Sequence, residues 1–342
     1  MKKIKASIVG GSGYGGSELL RFLLYHPCVE IISVTSRTHI GQKVCSVHKN
    51  LEKQTELKFE DTDIEEIAKK SDVVFFAMPH GIAMDLIPDI IKKTKIIDLS
   101  GDFRLNTAKN YKEYYKVEHK CPNLLDKFVY GLTEINRNLI KKAHNIACPG
   151  CFPTGALLSL IPLAKEGLLP EYIVIDSKTG SSGSGSTPSA ATHHPARANN
   201  IKAYKILSHQ HEPEIQQELK KINNSDLSIS FVAHSVPTAR GIFTTVHFSS
   251  KKPIRNNDLR EIFTSYYKDS FFVRIVDDSP ENSFVCGTNF ADIGIFAKGN
   301  KVIVMSAIDN LVKGAAGQAI QNMNAMLGLD ETIGLAQEAL FP

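Results

Sequence analysis

Tryptophan is absent from the 342 residues, and cysteine and methionine occur only six times each. Six cysteines scattered through so long a chain read as buried thiols, or as one chemical thiol, and not as the disulfide framework of a small secreted scaffold. No apolar run approaches the length needed to span a bilayer. The opening Met-Lys-Lys-Ile-Lys leads straight into a strand pattern, without the apolar core and small-residue cleavage point of a signal segment. A basic tract is missing too: the formal net charge is +4, and acidic residues intersperse the lysines. Nucleic acid and membrane are therefore not expected partners, although a slight positive excess suits a protein that handles anions. What remains is a globular protein expected in the cytoplasm.

With 42% hydrophobic and 22% charged residues the chain has an ordinary enzyme's balance, and its length favours two domains. Strand patterns at 3–9, 30–35, 72–77, 95–99 and 145–148 alternate with helical ones at 18–24, 82–92 and 134–142. Strand, glycine turn, helix, strand is a βαβ unit, so the first part reads as an α/β, doubly wound dinucleotide-binding domain over residues 1–148. From 149 to 311 strand patterns, at 172–177, 227–232, 244–249, 271–276 and 292–296, crowd together with fewer helices, predicting an α+β domain with a mixed sheet. The tail 312–342 holds a small-residue helix expected to return to the first domain and complete it. The run Gly180-Ser181-Ser182-Gly183-Ser184-Gly185-Ser186 has the composition of a flexible linker.

Gly10-Gly11-Ser12-Gly13-Tyr14-Gly15-Gly16 follows the first strand and precedes a helix, where backbone N–H groups and the helix dipole favour a pyrophosphate. At the end of the second strand, Thr35-Ser36-Arg37 stands where NAD sites carry an acidic residue. A hydroxyl and a guanidinium suit a 2′-phosphate, so NADP(H) is the expected cofactor.

Cys148-Pro149-Gly150-Cys151-Phe152-Pro153-Thr154 lies where a strand ends and a helix begins. A helix N-terminus favours the thiolate, the form a covalent nucleophile needs. The same spacing admits a C-x-x-C redox pair. A metal site is disfavoured, because Cys28, Cys45, Cys121 and Cys286 supply no second pair. Downstream, His209-Gln210-His211 offers imidazoles for acid/base work and is followed by Glu212-Pro213-Glu214. Arg104, Arg197 and Arg240 stand in loop-like contexts and could clamp a carboxylate or phosphate. Taken singly, each of these histidines and arginines is also an ordinary surface or core residue.

These stretches, with Pro79-His80-Gly81, Asp98-Leu99-Ser100, Tyr130-Gly131-Leu132, Ala203-Tyr204-Lys205, Val236-Pro237 and Asp309-Asn310-Leu311, run nearly end to end. Together they resemble the N-acetyl-γ-glutamyl-phosphate reductases, arginine-pathway relatives of aspartate-semialdehyde dehydrogenase. The resemblance implies that Cys151 attacks an acyl phosphate and that NADPH reduces the resulting thioester to an aldehyde. It implies His209 or His211 as the acid/base, Arg104 as the substrate-anion arginine and Asn310 near the nicotinamide; Arg197, Arg240 and Glu214 are the further candidates at the substrate, and Gly10, Ser12, Gly13, Tyr14, Gly15, Ser36 and Arg37 those at the cofactor. It also makes 180–185 a family loop in place of a linker, and implies a homodimer or homotetramer. The element Thr192-His193-His194-Pro195 departs from the commonest arginine-pathway pattern and is similar to the lysine-pathway branch, which reduces an aminoadipyl phosphate. An NADP-binding redox sensor using Cys148 and Cys151 is the alternative from another class.

Overall fold

The computed structural model describes residues 3–223 and 227–341, so Met1, Lys2 and Pro342, the ends of the expected first domain, lie outside the described residues. The chain forms two compact units: Met1–Pro149 with Ala315–Ala336, and Gly150–Gly314 with Gln337–Pro342. Residues from Gln337 onward thus belong with the second unit, where the sequence places them with the first. Phe341 packs on Phe284 at 4.9 Å between ring centroids, which accounts for the difference.

The first unit is built on a six-stranded parallel sheet of β1 (Ile4–Val9), β2 (Val29–Val34), β3 (Val73–Phe76), β4 (Lys95–Asp98), β5 (Val129–Tyr130) and β6 (Asn145–Ala147). The order is β2-β1-β3-β4-β6-β5. A parallel sheet is covered on both faces, so its strands are continuous apolar runs, as in the fully buried Val-Val-Phe-Phe of β3. The chain moves from β1 outward to β2 and returns to β3 on the other side of β1. That reversal is where doubly wound sheets bind ligands, and the glycine turn sits there.

The helix expected over 82–92 is shorter: one α-helical turn, Ala83–Leu86, continued by a 3-10 turn, Ile87–Asp89. Pro88 has no N–H to continue an α-helix. The tail helix, Gly317–Met326, is buried along its whole length although it carries Gln318, Gln321, Asn322 and Asn324. Its amide N–H groups are matched: Gln318 Nε2 donates to Thr133 Oγ1 (2.7 Å), Gln321 Nε2 to Glu134 Oε1 (3.0 Å), and Asn322 Nδ2 to the Gly131 carbonyl (2.8 Å), while Gln318 Oε1 meets no donor among the described residues. A helix with polar residues all round can occupy a core only on those terms.

The second unit carries a seven-stranded mixed sheet: β7 (Tyr172–Thr179), β8 (Lys202–Tyr204), β9 (Ser228–Ser235), β10 (Ile242–Ser249), β11 (Val273–Val276), β12 (Ala291–Lys298) and β13 (Lys301–Ile308). Their order is β11-β12-β13-β10-β7-β9-β8, with β7–β9 and β11–β12 parallel and the rest antiparallel. The sequence reading misses β8, β13 and the helices His211–Asn223 and Asn256–Tyr267.

Along β7, β10 and β13 burial alternates, as expected when one sheet face is packed and the other open. The packed face receives the helix Cys151–Lys165 at Gly155. A Cβ there would lie 3.0 Å from Ser306 Oγ, whose hydroxyl donates to the Gly155 carbonyl at 3.0 Å.

Candidate active site

In the second unit Cys151 is the first residue of the Cys151–Lys165 helix, with Gly150 as its extended N-cap. The first-turn N–H groups and the dipole's positive end therefore surround the thiol and favour an anion on it. Gly150 is glycine for lack of room: a Cβ would meet His211 Nε2 at 2.5 Å. Gly314 closes the other side, since a Cβ on it would lie 2.8 Å from the Cβ of Cys151. The Gly150 N–H donates to Oε1 of the fully buried Glu214 at 2.7 Å, tying the thiol's turn to the His211–Asn223 helix.

The two histidines differ sharply. His209 is 2% exposed and boxed by Phe152, Tyr204, Phe231 and His211, with ring centroids 4.8–5.7 Å away. Burial, then the charge of Lys205, lowers its pKa to about 3. Its Nδ1 accepts the His211 backbone N–H at 3.2 Å, which puts its proton on Nε2. It is a neutral imidazole that orients its neighbour. His211 is the one whose ring edge abuts the Gly150 turn.

Tyr204 joins this group. Burial, then the charge of Cys151, holds its phenol well above the ordinary range, while Arg197 opposes the rise. Cys148, the other cysteine of the motif, lies in the first unit, 1% exposed, and its thiol is pushed up to about 12, chiefly by burial. The Asn322 amide approaches its sulfur at 3.8 Å. All six cysteines are free thiols.

Further site residues expected from sequence are engaged by partners within their own units. Arg104, in the first unit, is 7% exposed and donates from Nε to the Cys148 carbonyl and from Nη2 to the Leu99 carbonyl, both at 2.7 Å. It braces the ends of β4 and β6. Arg240 forms a two-pronged pair with the fully buried Asp309, at 2.9 and 3.2 Å. Its fork is taken up by a carboxylate of its own chain, where the sequence suggests a substrate clamp. Asn310 accepts the Gly241 N–H (2.8 Å) and donates to Ser182 Oγ (3.0 Å).

That contact, with the backbone bonds of Gly180 to Gly241, Ser181 to Thr238 and Ser182 to Ala239, staples the glycine-serine run to its neighbours. The linker reading of that run is corrected: no slack polymer has every one of its first three N–H groups bonded. Gly150, Tyr204 and Gly314 stand in the sequence only inside longer stretches, with no role of their own; the tertiary approach of other groups gives all three their meaning. Among the described residues no group of three or more histidine, cysteine or acidic side chains is placed to hold a metal.

In the first unit the glycine turn divides into tight and open positions. Cβ atoms on Gly11 and Gly16 would strike Val34 Cγ1 at 2.3 Å and the Gly11 carbonyl oxygen at 2.5 Å. Gly10 adopts φ +87° and has Ala77 O 2.8 Å from where its Cβ would stand. Gly13, the N-cap of the helix Tyr14–Leu23, faces open space. Gly15 meets only the Ala77 methyl, at 4.0 Å. The open positions are where a pyrophosphate needs backbone access, so the residues fit a dinucleotide. Ser36 Oγ bonds Ser12 Oγ at 3.1 Å, joining the turn to the strand end, and Arg37 beside it is exposed.

Residues 5–143 match the semialdehyde dehydrogenase NAD-binding domain, and 151–310 match the semialdehyde dehydrogenase dimerisation domain. The class is therefore a semialdehyde-dehydrogenase-type oxidoreductase with an NAD(P)-binding domain. At 46% identity the chain is similar to the N-acetyl-γ-glutamyl-phosphate reductase of Methanosarcina mazei over 99% of each chain. It is equally similar to that of Methanopyrus kandleri, over 99% of this chain and all of the other. The chain belongs to the N-acetyl-γ-glutamyl-phosphate reductase family.

The fold is shared with aspartate semialdehyde dehydrogenase II from Vibrio cholerae: TM-score 0.74, 16% identity, 96% of this chain and 99% of the other. It is shared also with the NADP-bound aspartate semialdehyde dehydrogenase of Candida albicans: TM-score 0.70, 16% identity, 97% and 100% of the two chains.

Proposed function

We propose that the protein reduces N-acetyl-γ-glutamyl phosphate to N-acetylglutamate 5-semialdehyde, with release of phosphate, through a thioester on Cys151 and with NADPH as reductant. The observation that carries the reading is the thiol at a helix N-terminus with an imidazole edge against its N-cap glycine. The thiolate attacks the acyl carbon, and the helix N-terminus stabilises negative charge on the sulfur before attack. Phosphate departs with the bonding pair of the acyl–oxygen bond. A reduced dinucleotide bound at the glycine turn supplies hydride when present. His211 gives a proton to the oxygen as the thiohemiacetal forms and recovers one as it collapses and frees the thiolate. His209, neutral across the working pH range, holds the His211 main chain and keeps water out.

The arginine at the end of β2 supports NADPH over NADH, because a guanidinium matches a 2′-phosphate and an exposed position leaves it free to do so. A redox-sensor role for the cysteine pair is weakened by the burial of Cys148, whose thiolate is strongly disfavoured.

Phosphate-dependent reduction of NADP by N-acetylglutamate semialdehyde, run in reverse, is the assay. Activity should appear with the wild-type chain and fall to background in Cys151→Ser. Turnover undiminished in that variant would sink the covalent mechanism. Comparison with the aldehyde one methylene longer separates the lysine-pathway substrate, against a discrimination of only about 1–3 kcal/mol per methylene.

A further inference from the structure

The second unit holds a cleft of about 310 Å³ lined by Ser181, Thr192, His194, Arg197 and Thr238 among others. No acidic residue lines it. Arg197 is fixed from behind, its Nη2 donating to the carbonyls of Thr179 and Val236, each at 3.2 Å. Its Nε, out of solvent, meets no acceptor among the described residues. A buried donor left in that state destabilises the fold unless something accepts from it. The cleft wall is rigid as well, because Ser181 bonds the Thr238 carbonyl and a Cβ on Gly180 would strike the Ala239 carbonyl oxygen at 2.6 Å.

The cleft also communicates with the reacting sulfur. Tyr204 feels both Cys151 and Arg197. On the other side Arg240, which follows the cleft residues 237–239, pairs with Asp309, and the Asp309 carbonyl accepts the N–H of the Gly314 that abuts Cys151.

A pre-oriented guanidinium without a carboxylate partner, ringed by hydroxyls, in a space of this volume, is matched to a small carboxylate. Resting on the reaction proposed above, we infer that this cleft seats the α-carboxylate end of the acyl phosphate, with Arg197 as the specificity-determining residue. The substrate then spans from a carboxylate on Arg197 to an acyl carbon on Cys151, and the cleft, not the thiol, reads which acid is reduced. The His193-His194-Pro195 element that departs from the commoner pattern forms part of this wall, so it acts on the head group.

The test uses two aldehydes in the reverse assay: N-acetylglutamate semialdehyde, and 4-acetamidobutanal, which is the same molecule without its carboxylate. The wild-type chain should prefer the first. In Arg197→Met that preference in kcat/KM should fall about 10- to 100-fold, the cost of a lost charge-assisted hydrogen bond. The loss should come mainly as a raised KM for the carboxylated aldehyde, with the KM for inorganic phosphate unmoved. Arg197→Lys keeps the cation but not the fork and should lose part of the preference. It decides the matter if the methionine variant does not fold.

An equal loss on both aldehydes, a preference intact in Arg197→Lys, or a rise in the phosphate KM in place of the aldehyde KM would each overturn the assignment. In the last case the cleft holds the phosphoryl group instead. Absence of any phosphate-dependent oxidation by the wild-type chain would instead overturn the reaction itself, a result that the variants cannot mimic.

Discussion

At the scale of single residues the informative contrast is between two histidines one residue apart. Burial has removed His209 from acid/base duty at neutral pH, while the His211 ring stands against the turn that carries the thiol. His211→Asn should lower kcat in the reverse assay by about 10²–10⁴-fold, the usual worth of a general acid/base. His209→Phe, which keeps an aromatic filler, should cost much less, and steady-state kinetics on the two variants separates the roles. The same burial has a consequence for stability. A folded-state pKa near 3 against an ordinary 6.5 means that the unfolded chain binds the extra proton first. Stability from His209 is complete above about pH 6.5 and drains away as pH falls towards 3. Thermal melts of the wild-type chain should show this acid limb, and His209→Phe should flatten it.

At the scale of elements, the glycine turn after β1 separates two jobs that its sequence superimposes. Gly16→Ala puts a Cβ 2.5 Å from backbone oxygen and should lower the melting temperature whether or not a dinucleotide is present. Gly13→Ala has open space around its new methyl, so it should melt like the wild type and bind NADPH more weakly. Calorimetric titration and melting curves on the pair check both halves. A Gly13 variant with undiminished NADPH affinity would place the dinucleotide elsewhere. The Cys151–Lys165 helix shows the same economy: one end carries the Cys151 thiol, and Gly155 lets the next turn settle onto Ser306 and Thr244 of the sheet.

For the molecule as a whole, the open face of the second sheet is the feature that a single chain leaves unexplained. Tyr172 and Ile303 are 53% and 39% exposed on strands whose alternate residues are buried under helices. With a dimerisation domain matched over this region, the expected outcome is a homodimer in solution that buries this face. Ile303→Asp should shift light-scattering mass towards the monomer; an unchanged mass would move the interface to another surface. No helix among the described residues is long and apolar enough to cross a membrane.

The sequence by itself determined the parallel sheet of the first unit, the glycine turn between strand and helix, and the place of Cys151 at the start of a helix. Each of these is written in local pattern: apolar runs of strand length, glycine where a chain must turn, a cysteine at a helix start. It was silent on β13 and the His211–Asn223 helix, where tertiary contacts and not local periodicity decide the element, and too long over 82–92, where Pro88 limits the α-helix to Ala83–Leu86. Only the tertiary structure decided that His209 is buried with its pKa lowered while the His211 ring meets the Gly150 turn, that Arg240 and Asn310 are engaged within their own unit, and that the glycine-serine run is stapled. Those outcomes depend on burial and on partners far away in the chain, and neither is encoded in the spacing of neighbouring residues.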